Sequence, residues 1–103
     1  MSRELRGRVE PRLPKTLPDD AQSACSQMLD AVAAFYQATE PSEARRAQRL
    51  AELSATRQDD LDECVANTSI PAAACVTVLL GDRDSEYPWL LDQCDRAFPS
   101  SAG

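Results

Sequence analysis

Apolar and polar positions alternate along most of this chain with the period of an α-helix. Ala21, Cys25, Met28, Val32, Phe35 and Tyr36 follow one another at three- and four-residue steps, with Gln22, Ser26, Gln27 and Asp30 between them. That is one face of a helix, and the spacing predicts it over Asp20–Thr39, with Asp19 or Asp20 accepting hydrogen bonds from the first turn. Glu40-Pro41-Ser42 breaks it. A second helix is expected over Ser42–Ala55, where Ala44, Ala47, Leu50, Ala51 and Ser54 make a thin stripe suited to a peripheral cover. Thr56-Arg57-Gln58-Asp59 has the form of a capping box and predicts a third helix to Ala66, burying Leu61, Cys64 and Val65. On this reading Asp59, Asp60, Asp62 and Glu63 occupy its first two turns, where the helix dipole favours carboxylates.

The remaining segments follow the same logic. Pro71 suits a first helical position, and Pro71–Leu80 is apolar almost all round, which predicts the most buried helix. Gly81 is expected to close it in a left-handed cap. Asp82–Glu86 reads as a polar loop, and Ser85 as the cap of a last helix over Glu86–Phe98. Tyr87, Leu90, Leu91, Cys94, Ala97 and Phe98 form its stripe, and Trp89 stands beside it. The fold class is therefore all-α: a small bundle of four to five short helices.

Residues 1–18 contain Pro11, Pro14 and Pro18 among charges and isolated apolar residues, and are expected to be a disordered basic leader. The helical domain is assigned to 19–99 and a frayed end to 100–103. Charge divides at the same boundary. The leader has five cations against two anions, a net +3, while the rest has six basic and fifteen acidic residues, a net −9. An acidic body with five aromatic residues is a poor match for a nucleic-acid backbone, so no nucleic-acid partner is expected. No run approaches the ~20 apolar residues of a membrane span, and no signal sequence is visible.

The chain has no histidine, which removes the usual general base and the commonest zinc ligand. Its three glycines, Gly7, Gly81 and Gly103, build no phosphate-cradling loop. Asp82-x-Asp84-x-Glu86 suggests calcium, but the sixth and twelfth positions of an EF-hand loop are Tyr87 and Gln93 instead of glycine and glutamate. No catalytic residue, cofactor or metal is expected, and the protein is not read as an enzyme.

The informative residues are Cys25, Cys64, Cys75 and Cys94, one on the apolar stripe of each of four helices. A four-thiolate site and buried free thiols fit that placement less well than two interhelical disulfides. Cys64 and Cys75 flank the Asn67–Ile70 turn, so the expected pairs are Cys64–Cys75 and Cys25–Cys94. Disulfides place the protein outside the cytoplasm, periplasmic or secreted; reduced thiols would make it a cytoplasmic acidic helical regulator.

Asp62-Glu63-Cys64-Val65, Ala72-Ala73-Ala74-Cys75-Val76 and Trp89-Leu90-Leu91-Asp92-Gln93-Cys94 give the chain a family character. It resembles small four-cysteine helical domains of secreted or lipid-anchored bacterial proteins, and in general character the pilotins of type II secretion. The resemblance implies a non-enzymatic interaction module: an adaptor, a pilotin-like chaperone or an inhibitor of a partner protein. Composition adds that the partner is a basic protein or peptide and that the module is a monomer. The residues singled out for it are Trp89 and Tyr87 with Asp82, Asp84 and Glu86, rings beside carboxylates that suit an apolar, basic segment. Trp89 has a second reading, in which it packs beneath the acidic loop.

Overall fold

The structure, a computed structural model, describes residues 2–100. It contains α1 (Ser2–Val9), a 3-10 turn (Glu10–Arg12), α2 (Ala21–Thr39), α3 (Glu43–Asn67), α4 (Ile70–Leu80) and α5 (Tyr87–Ala97). Among the described residues there is no strand, and the all-α class holds.

Helix starts are set by local chemistry. The Ser23 N–H donates to the Asp20 carboxylate at 2.7 Å, which opens α2 and holds the Asp20 carboxyl below the ordinary range. Ser42 opens α3 by accepting from the Arg45 N–H at 3.3 Å. Ser69 opens α4, accepting from the Ala72 N–H at 3.1 Å, and its hydroxyl donates to the Phe98 carbonyl at 2.7 Å. One serine thus caps the start of α4 and fastens the end of α5 to it.

α4 lies at the centre. Ala72, Ala73, Cys75 and Val76 are fully buried, and α4 packs on α2 on one side and α5 on the other. Met28 and Val32 of α2 are also without exposure, and the small side chains of Ala72 and Ala73 let helix backbones approach closely.

Four expectations need correcting. The second and third helices are one: α3 runs unbroken for 25 residues, a rod of ~38 Å at 1.5 Å per residue. The longest dimension of the molecule is 39 Å, so α3 spans it. Nothing between Ser42 and Asn67 breaks a helix, since the stretch has neither proline nor glycine. Thr56 caps nothing; its hydroxyl bonds back to the Glu52 carbonyl and across to Asp60 at 2.8 Å. Only Cys64 of α3 is buried, and Arg46, Arg49 and Arg57 reach over α2 from its basic half.

The disulfides also differ. The structure pairs Cys25 with Cys64 and Cys75 with Cys94, with Cα separations of 5.9 and 5.8 Å. Cys64 and Cys75 are close in sequence, but α3 packs on α2 and α4 lies between α2 and α5. Thr68 and Ser69 both have extended backbones, so the connection leads away from α3 without folding α4 back beside it. Each cysteine bonds to the helix it faces.

The third correction concerns the leader. Residues 2–12 form α1 and the turn, with Val9 buried against the body and Leu5 half-buried beside it. Local composition does not reveal this, because one docked valine and a tertiary ion pair supply the order. Residues 101–103 of the predicted frayed end lie outside the described residues. Fourth, Gly81 is right-handed at φ −63°, and Arg83 takes the left-handed conformation at φ 59° instead. Ser85 likewise yields its capping place to Glu86, whose side chain makes no cap bond.

Peptide mapping without reduction should recover Cys25–Cys64 and Cys75–Cys94, and titration of the unfolded, unreduced chain should find no free thiol. The loops closed span 39 and 19 residues. Chain entropy then assigns ~4 and ~3 kcal/mol to the two bridges. Val76→Ala, in α4, is expected to cost ~2 kcal/mol or more in denaturant unfolding, by cavity formation.

Candidate functional site

Helix α5 carries a groove along each flank, and the residues singled out from sequence divide between them. Tyr87 lines the flank facing α3; Trp89, Asp82 and Asp84 line the flank facing α1. Glu86 is exposed at the N-cap of α5 and lines neither. Tyr87 and Trp89 therefore do not form one anchor. Two residues apart on a helix, their side chains diverge by about 200°.

The groove between α3 and α5 has a volume of about 350 Å³. Its apolar surface comes from Leu91, Pro88 and the Tyr87 ring, and its polar rim from Asp60, Glu63, Asn67 and Asp95. No cation lines it, and no ion pair among the described residues engages Asp59, Asp60, Asp62, Glu63 or Asp95. Thr68 is 7% exposed at the groove wall.

The unbroken α3 changes the meaning of its carboxylates. They sit in its C-terminal half, away from the positive end of its dipole. The explanation offered by a helix start is gone, and the local field is strongly negative. Burial and the charges of Asp60, Asp95 and Glu63 push the Tyr87 phenol up to about 12. Burial, and then Asp92, raise the Asp95 carboxyl.

The flank facing α1 has a different character. Leu79, Leu90, Leu5 and Val9 line a groove of about 260 Å³, with Trp89 at its edge. Trp89 is 57% exposed, so it does not pack beneath the loop. Arg12 donates to both carboxylate oxygens of Asp82, at 2.8 and 2.7 Å, and these bonds hold the Asp82 carboxyl below its ordinary range. Arg6 lies over the Phe98 ring, 5.1 Å from its centroid. The chain's own residues 5–12 form one wall of this groove. Sequence reasoning missed the α3 side of the acidic groove because those carboxylates had an adequate local explanation.

Among the described residues, no cluster of three or more histidine, cysteine or acidic side chains is arranged to hold a metal ion. No helix among them is long and apolar enough to cross a membrane. No protein-family model matches the sequence, and no curated protein or solved structure is similar to it.

Two titrations follow. Phenolate absorbance should show one tyrosine ionising near 12, absent in Tyr87→Phe; stability tied to that neutral phenol is complete below pH 10 and is lost as pH rises through 12. Because its folded-state value is raised, ionised Asp95 opposes folding at neutral pH. Asp95→Asn should raise the urea midpoint at pH 7, with the gain vanishing once pH falls below the ordinary carboxylate range.

Proposed function

We propose that this protein is a disulfide-stapled interaction module of an extracytoplasmic compartment, which binds a basic, apolar segment of a partner protein in the groove between α3 and α5. The observation that carries the reading is the convergence of Asp60, Glu63 and Asp95 around Tyr87 and Leu91, with no cation among the lining residues. Carboxylates gathered around one groove without a cation repel one another, and a cationic ligand relieves that repulsion. Tyr87 and Leu91 give such a ligand apolar contact beside its charge. Bridging of all four cysteines supports an oxidising location. The chemistry available at the groove is recognition, with no nucleophile–base pair, so the module acts as adaptor, chaperone or inhibitor.

A labelled hexapeptide of alternating arginine and leucine tests this. It should bind the native chain in a salt-dependent manner, while a glutamate–leucine counterpart should not. Asp60→Asn combined with Glu63→Gln should weaken binding about tenfold or more, chiefly through faster dissociation. Equal binding of both peptides, or indifference to the double substitution, would remove the groove from consideration.

A further inference from the structure

The opposite flank of α5 supports a separate inference. We infer that the groove under α1 is a docking surface for a basic amphipathic helix of a partner protein, and that residues 2–12 are its resident stand-in, displaced when the partner binds. It rests on the other face of α5 and is independent of the acidic groove.

The arm shows what the surface selects. Leu5 and Val9 supply the apolar contact, Arg6 meets the Phe98 ring and Arg12 clasps Asp82. Leu5 and Val9 stand at i and i+4 on one face of α1, and the 3-10 turn that follows carries Arg12 to Asp82. A partner helix with leucine, arginine, valine and arginine at the corresponding positions satisfies the same groove. Complementarity of charge extends beyond the contacts, since the leader is net +3 against a body of −9.

The arm is also built to leave. Its helix has eight residues, too few to be stable alone. The Arg12–Asp82 pair joins exposed side chains that solvent screens, and the second tie sets an exposed Arg6 over the buried Phe98 ring. Neither disulfide touches it, whereas all four body helices are stapled. Val9 is its one fully buried side chain, and α1 packs chiefly on α5 and not at the α2–α4 seam. Release of the arm therefore uncovers Leu90, Phe98 and the inner edge of Trp89 while the body keeps its core.

The full-length chain and a labelled synthetic peptide of residues 2–13 provide the test. In the native chain the tethered arm competes at high effective concentration, and the peptide should bind weakly. Val9→Asp expels the arm, and the peptide should then bind at least tenfold more tightly with the helical circular dichroism retained. Adding Asp82→Arg to that variant should weaken binding several-fold. Arg6→Glu with Arg12→Glu keeps Val9 in place, loosens the arm, and should give an intermediate gain. The proposal is overturned if the peptide binds Val9→Asp no more tightly than the native chain, or if Val9→Asp loses its helical signal, because the body must stand without the arm. A native dimer formed by exchange of arms would also overturn it, since a second copy would then be the occupant.

Discussion

The non-covalent seam between α2 and α4 holds the molecule together. The disulfides close two helix pairs, α2 with α3 and α4 with α5, and neither bridge crosses from one pair to the other. What joins the pairs is the packing of α2 on α4, whose Met28, Val32, Ala72 and Val76 are all without exposure. A domain of this size has little apolar surface to commit, and it places its most apolar helix at that junction. The bridges narrow the unfolded ensemble of each pair, and the seam decides whether the pairs form one body.

This division explains how much was legible in the sequence. The α2 stripe, its Asp20 cap, the Ser69 start of α4 and the burial of α4 depend on neighbours within a few residues, and each could be read from them. The pairing of Cys25 with Cys64 depends on which helix lies beside which, and proximity along the chain pointed elsewhere. Thr56-Arg57-Gln58-Asp59 is a valid capping pattern locally, but a helix with no breaker does not stop for a cap. The arm was illegible for the opposite reason: residues 2–12 have little helical character in themselves, and Val9 and Arg12 acquire their roles only from α5 and Asp82. The candidate surfaces were half visible: the sequence sets Trp89 and the acidic loop apart from the Tyr87 stripe, but Asp60 and Glu63, which complete the Tyr87 side, have a local explanation that hides them.

Helix α5 carries both proposed recognition surfaces. Its inner face, Leu90, Cys94 and Ala97, is buried, and the bridge from Cys94 to Cys75 ties it to α4. Its two flanks differ, one presenting carboxylates and a phenol, the other an apolar strip edged by an indole. On the proposed reading, one stapled helix serves two ligands, the second only after the arm leaves.

The order of the bridges has a consequence for how the chain matures. Cys25 joins Cys64 before Cys75 occurs in the sequence, and Cys75 joins Cys94, so the two covalent loops follow one another without nesting or crossing. A polypeptide delivered amino-terminus first into an oxidising space can therefore close each loop as its second thiol arrives. The first thiol to appear always takes the second, and simple sequential oxidation yields the native pairs. Consecutive pairing therefore calls for no reshuffling of mispaired sulfurs when the loops close in chain order.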